Sequence, residues 1–214
     1  MIVVENSHRK AGRPRTSVLD RERITQHALE LVTASGYEGL TMQRLAKSLG
    51  VSPSALYNHV DSKQDLLQWI QESVMTQVDS SSFDTLPLRE ALGHWATSYR
   101  DTFSNHIPLI PVIAVLPVAD SPRTLRMYER VARALTEAGL AQEQVVPTIV
   151  ALESFIFGSA MDTSAPHDIF DAGAHHEETQ NFTEAIEAQR RTEVPTSDAS
   201  FQRGLRALID GMVP

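Results

Sequence analysis

Residues 41 to 63 read Thr-Met-Gln-Arg-Leu-Ala-Lys-Ser-Leu-Gly-Val-Ser-Pro-Ser-Ala-Leu-Tyr-Asn-His-Val-Asp-Ser-Lys. Thr41 and Ser52 each precede a short apolar-periodic segment, and each hydroxyl can accept a hydrogen bond from a backbone N–H three residues on. Leu45, Ala46 and Leu49 share one face of the first segment. Gly50 tolerates the positive backbone torsion that ends it, and Pro53 opens the second at a position where no N–H is needed. Leu56 and Val60 point inward. Two short helices joined at so tight a turn form a helix-turn-helix, whose second helix enters the major groove while the first braces it. That second helix, read as Pro53 to His59, leaves Ser54, Ala55, Tyr57, Asn58 and His59 for solvent. Asn58 can bond adenine, Ser54 and Tyr57 can reach phosphates or bases, and Ala55 can meet a thymine methyl. Lys63 offers a phosphate contact.

Outward from this stretch the chain continues to read as helix. Asp20 caps an earlier helix carrying Ile24, Ala28, Leu31 and Val32, stopped at Gly36. Ser62 caps a fourth with Leu66, Leu67, Ile70 and Val74 as its buried stripe, and the sequence breaks at Ser80 to Ser82. Further helical patterns cover Leu88 to Phe103, Pro122 to Glu137, Gln142 to about Met161, and Ala199 to Met212. Between Thr163 and Asp198 the pattern fades around Pro166, Gly173 and Pro195, which reads as a partly ordered excursion. No stretch alternates with period two. The expected fold is all-α: a flexible basic arm (1–17), a three-helix helix-turn-helix DNA-binding domain (18–65), and a larger helical ligand-binding and dimerisation domain (66–214).

Charge divides the chain along the same line. The 214 residues carry a formal net charge of −8, which alone argues against a polyanion partner. Up to Gln68, however, 9 Lys and Arg face 7 Asp and Glu, whereas from Trp69 onward 10 face 20. The positive charge concentrates in Arg9, Lys10, Arg13 and Arg15, around Gly12-Arg-Pro14. Absent cysteines exclude a disulfide framework and a thiolate metal site, and fit a reducing cytoplasm. The longest apolar run, Ile107 to Ala119, is broken by three prolines and falls short of the ~18 residues that span a bilayer. No Gly-rich phosphate loop, nucleophile elbow or carboxylate pair appears, so enzyme chemistry is not expected, nor is a cofactor.

Gly36-Tyr-Glu-Gly-Leu-Thr41, Leu45-Ala46, Leu49-Gly50-Val51-Ser52, Leu56-Tyr57-Asn58-His59-Val60 and Lys63-Gln-Asp-Leu66 together resemble the DNA-binding domain of the tetracycline-repressor (TetR) family. Phe201-Gln-Arg-Gly-Leu205 and Leu208-Ile-Asp-Gly-Met212 resemble the last helix of the tetracycline-repressor subgroup. The resemblance implies a homodimeric repressor of a palindromic double-stranded operator, released by a small-molecule inducer. It also implies DNA contacts from Thr41, Gln43, Arg44, Ser52, Pro53, Ser54, Ala55, Tyr57, Asn58, His59 and Lys63. Arg13 and Arg15 suit a narrow minor groove, which attracts arginine. A helix-turn-helix activator or architectural protein without an inducer is the alternative.

Family placement puts the inducer in the larger domain, with His94, Trp95, Tyr99, Phe103, His106, Ile110, Val112, Ile113, Met127, Tyr128 and Phe155 as candidate lining. The stretch Pro117-Val-Ala-Asp-Ser-Pro122 departs from the tetracycline-binding member, placing proline where that member uses a histidine to hold a magnesium–drug complex. An uncharged or amphipathic, largely apolar inducer is therefore expected. Useful affinity needs two heads, and Ile149, Leu152, Ile156 and Phe157 with Leu205, Leu208 and Ile209 are the candidate dimer seam. His167, Asp171 and His175 recur at four-residue spacing, but Gly173 and the nearby prolines weaken the helix a metal site would need, so a solvated acidic segment is favoured.

Overall fold

The computed structural model describes residues 19–214, so the arm with Arg13 and Arg15 lies outside the described residues. Three helices build the head: α1 (Arg21–Ser35), α2 (Met42–Leu49) and α3 (Pro53–Tyr57); α1 packs on α2 and on α4 (Lys63–Met75), and α2 on α3. Each begins where its cap requires. Asp20 accepts the Arg23 N–H at 2.9 Å, Thr41 the Arg44 N–H at 3.2 Å, Ser52 the Ala55 N–H at 3.2 Å and Ser62 the Asp65 N–H at 3.1 Å. Ser62 also donates to the Asp65 carboxylate at 2.8 Å, which ties the start of α4 twice. Gly50 ends α2 in the left-handed region (φ 70°, ψ 30°), and the Val51 N–H closes back on the Ala46 carbonyl at 3.0 Å.

The larger domain contains α5 (Leu88–Ser104), the short α6 (Ile110–Ile113), α7 (Pro122–Glu137), α8 (Gln142–Asp162), α9 (Gln180–Arg190) and α10 (Thr196–Met212). The Ile107 to Pro117 stretch cannot continue α5, because its prolines lack donors, and it folds as a 3₁₀ turn followed by the single turn of α6. Helix α8 packs on α5, α7 and α10, so it is the hub of this domain. By length and composition α8 could also cross a membrane, although no unbroken apolar run marks it in the sequence. It nevertheless contains Glu143, Glu153 and Asp162, and its inward face is occupied by neighbouring helices. Apolar contacts continue from Ile24 and Leu66 in the head to Trp95, Val131, Ile156 and Phe201 in the body.

Three boundaries differ from expectation. The third helix stops at Tyr57, leaving Asn58 and His59 in the following turn, where the His59 N–H bonds the Leu56 carbonyl at 2.9 Å. The last helix starts at Thr196, directly after Pro195, which cannot donate within a helix but fits just outside one. The Thr163 to Asp198 excursion includes the three-turn α9, none of whose residues is buried; without an apolar stripe to bury, it gave no periodic signal.

Candidate nucleic-acid interface and ligand site

On the head, Leu56 is buried while Ser52, Pro53, Ser54, Tyr57, Asn58 and His59 are exposed and Ala55 is half-buried. Tyr57 is 50% exposed although aromatic, a poor position for a residue whose only role is packing. Thr41, Gln43 and Arg44 at the start of α2 are exposed on the same motif. Two candidates already have partners. Arg44 donates to the Gly39 carbonyl at 2.8 Å, and the Lys63 ammonium sits 3.8 Å above the centre of the Tyr37 ring. The first ties Arg44, expected to contact DNA, to the backbone, and the second holds Lys63, expected to meet phosphate, over a ring.

The head is joined to the body along α4. Gln68 donates to Asp120 at 3.2 Å, Ser121 donates to Gln71 at 2.8 Å in a buried contact, and the Arg123 N–H at the start of α7 donates to Glu72 at 2.9 Å. Glu72 thereby places its negative charge on the positive end of the α7 dipole. Helix α1 also packs against residues 107–109. Any movement of α6 or the start of α7 therefore reaches the head through three hydrogen bonds and a packed contact.

Within the body, Trp95, Tyr99 and Phe103 recur every four residues along α5 and are almost entirely buried. Tyr99 meets the Trp95 ring edge-on at 5.7 Å, Phe103 at 5.2 Å and Phe157 of α8 at 5.5 Å, while Phe103 and Phe157 lie 5.0 Å apart. Ile110, Ile113 and Met127 are buried nearby in the chain's core, and Val112 packs against it. His106 is half-buried; desolvation holds its pKa below the ordinary imidazole value, and Nδ1 is buried without a hydrogen-bond partner among the described residues. His94 instead faces an open polar groove with Asp79, Glu90 and Asp101. Phe155 turns to α10, stacking on Phe201 at 5.8 Å with planes 8° apart.

Sequence reasoning missed Glu153. Its carboxylate accepts hydrogen bonds from Tyr99 at 3.0 Å and from Tyr128 at 2.8 and 3.0 Å, so α5, α7 and α8 meet at one acid. Burial pushes the carboxyl pKa up, against the two phenol donors that pull it down; burial and the adjacent carboxylate raise both tyrosines. The available signal was the row Ile149, Glu153, Phe157, in which one acid interrupts an inward-facing apolar stripe.

The expected dimer seam requires correction. Ile149, Leu152, Ile156, Leu205 and Ile209 are buried inside the chain, where α8 packs on α10 and its other neighbours; Phe157 and Leu208 are half-buried against the same core. Their apolar periodicity records intrachain packing. Among the residues α8 leaves exposed, Val146, Val150, Ser154, Gly158 and Met161 recur at three- and four-residue spacing. His167, Asp171 and His175 do not share a helix, and among the described residues no group of three or more His, Asp or Glu is placed to hold a metal.

Family models match both parts of the chain: bacterial regulatory proteins of the tetR family over residues 24–70, and the tetracyclin repressor-like C-terminal domain over residues 85–213. The class C tetracycline repressor of Escherichia coli is 30% identical over 207 residues, covering 91% of this chain and 90% of its own length. Among solved structures, apo ActR from Streptomyces coelicolor superimposes with a TM-score of 0.72 at 25% identity, covering 91% of this chain and 94% of its own. The complex of Streptomyces coelicolor ActR with actinorhodin gives 0.71 at 25% identity over 92% and 96%. With an exposed recognition helix on a capped head and a matching helical body behind it, the chain belongs to the tetracycline-repressor family of bacterial transcriptional regulators, DNA-binding repressors that respond to small ligands.

Proposed function

We propose that two copies of this chain hold a palindromic operator through Tyr57, Asn58, His59 and the starts of α2 and α3, and that an inducer bound between α5, α7 and α8 releases it. The observation that carries this reading is the connection between the two sites. The helices around Glu153 include α7, and the start of α7 is hydrogen-bonded to α4, on which the recognition unit is mounted. A ligand that spreads α5, α7 and α8 therefore tilts α4 and changes the separation of two heads; only the difference in ligand affinity between the two arrangements drives release. The relative crystallised with actinorhodin supports a ligand-filled body of this kind.

A second copy is supported by the exposed α8 stripe of Val146, Val150 and Met161, with Ser154 and Gly158 small enough for close helix approach. The test is fluorescence anisotropy on duplexes selected from a random pool. Full-length protein should enrich a two-fold symmetric site and bind it with steep salt dependence. Tyr57→Ala should weaken binding by roughly tenfold or more, since a hydrogen bond to a charged group contributes roughly 1.5 to 3 kcal/mol. Enrichment of no symmetric site, or equal affinity for the Tyr57→Ala variant, would overturn the reading. Sedimentation at micromolar concentration should give twice the 23.7 kDa chain mass, and Val150→Arg should reduce it to one chain.

A further inference from the structure

A carboxylate set among aromatic rings requires a physical reason. Glu153 is largely removed from water, yet no Lys, Arg or His among the described residues forms an ion pair with it, and its hydrogen-bond partners are two neutral phenols. The nearby buried cation, Arg100, one residue after Tyr99, is turned away: it pairs with Asp198 at 2.8 Å and lies 4.7 Å over the Phe201 ring. An apolar or amide side chain would pack here at lower desolvation cost, so the acid is not explained by the stability of the empty domain. The groups beside it pack directly on one another, so a ligand reaches the acid by parting α5, α7 and α8. The ring centroids of Tyr99, Phe103 and Phe157 lie 5.0 to 5.5 Å from one another. Trp95, edge-on to Tyr99, carries a buried indole N–H without an acceptor among the described residues.

A negative centre held by two tyrosine hydroxyls beside an aromatic cluster matches a positive centre carried on a flat or aromatic body. The ammonium would bond the carboxylate, and the rings would cover its C–H flanks through their electron-rich faces. We infer that the inducer of this repressor is an amphipathic aromatic cation, specifically a protonated amine, and that Glu153 is the residue that receives it. This rests on the reading of the α5–α7–α8 region as the inducer site, and it narrows the expected ligand from uncharged or amphipathic to cationic. Tyr99 and Tyr128 act as positioning residues: they hold both carboxylate oxygens toward α5 and α7 until the ammonium arrives. Because those two helices and α8 are the ones the ligand must engage, charge recognition and spreading of the helices occur at the same point.

The test uses a matched set of three probes: naphthylmethyl-dimethylamine, which is protonated at neutral pH; its neutral carbon isostere; and naphthylacetate. Binding to the full-length dimer is followed by quenching of tryptophan fluorescence, and release by anisotropy of a selected operator duplex. The amine should bind at least ~10-fold more tightly than the isostere and naphthylacetate least, as one desolvated charge pair would give. In Glu153→Gln, which retains an acceptor for both tyrosines, preference for the amine over the isostere should vanish while the isostere binds as before. Thermal unfolding of the empty Glu153→Gln protein should occur no lower than wild type. If wild type binds the three probes alike, prefers the neutral or anionic probe, or binds none at millimolar concentration, the cation assignment is overturned. Retention of amine preference by Glu153→Gln overturns it as well. Release of operator by the isostere or naphthylacetate alone would leave ligand-responsive repression standing while removing the amine. A failure of the broader reading has a different signature: bound probe, of any charge, with operator affinity unchanged.

Discussion

The head and the body of this repressor solve opposite problems. The head must expose polar side chains on a rigid frame, and it does so with local devices: a cap at each helix start, a left-handed Gly50 at the turn, and a single buried residue, Leu56, pinning the recognition helix. The body must enclose something, and it does so with residues from helices far apart in sequence, Tyr99, Tyr128 and Glu153 being 54 and 25 positions from one another along their hydrogen bonds. A surface built from local signals tolerates single changes at its rim. A site built from three helices depends on all three being present.

The first expected effect falls on DNA binding and isolates charge from shape. Residues 19 to 68 contain five Lys and Arg against six Asp and Glu, so the described head is not itself basic; Arg9, Lys10, Arg13 and Arg15 supply the surplus. Removing residues 1–18 should lower operator affinity by at least ~10-fold at moderate salt and flatten the salt dependence by about one log unit for each phosphate no longer neutralised. Anisotropy titrations between low and moderate salt measure both. An unchanged slope would show that the head's own cations, not the arm, neutralise the phosphates.

The next effect belongs to the body. Trp95→Ala removes a fully buried ring that touches Phe83 and Tyr99, and should cost about 3 to 5 kcal/mol in denaturant unfolding. Gly204→Ala should cost less, about 1 to 3 kcal/mol, because a Cβ there would lie 2.6 Å from the Phe155 ring, forcing apart the stacked Phe155–Phe201 pair between α8 and α10. On the head, Ser52→Ala should cost about 1 kcal/mol by freeing the Ala55 N–H. If Trp95→Ala proves no worse than the cap change, the packing of α5 is not what holds the body together.

This contrast also explains what could be read from the sequence. Asp20, Thr41, Ser52, Ser62 and Gly50 were legible because each acts on backbone within four residues of itself, and a string of letters records such distances directly. Glu153 was not legible as a site. Its partners become neighbours only when α5, α7 and α8 pack, and between Leu152 and Ile156 it looks like any acid on a helix. The dimer seam failed for a related reason: Ile149, Leu152 and Ile156 show that α8 has an apolar face but not which neighbour covers it, and the covering helices belong to the same chain. The exposed Val146, Val150 and Met161 differ from them only in facing, which hydrophobicity alone does not reveal. Helix α9 was missed because none of its side chains is buried.

The smallest effect is the most specific, because it concerns a single proton. Burial raises the folded-state pKa of Glu153 above its ordinary 4.5, so folding favours the protonated acid. The sign follows from linkage: the folded form binds the proton more tightly than the unfolded form, so this contribution to stability is complete below pH 4.5 and is lost as pH rises through the folded pKa. His106 works in a separate window. Its folded pKa is depressed below 6.5, so it penalises folding only as pH falls through 6.5, where the unfolded imidazole gains a proton first. Glu153→Gln leaves His106 in place, so comparing the two proteins isolates the acid. Their melting temperatures should lie closest below pH 4.5 and diverge as pH rises, with the Gln variant the more stable at neutral pH. The aromatic amine should reverse that order, since it binds more tightly to, and so stabilises more, the folded state that still carries the carboxylate. Parallel melting curves across the whole range would mean that Glu153 stays hydrated, and would reduce the contrast between an exposed head and an enclosing body to a difference in helix packing.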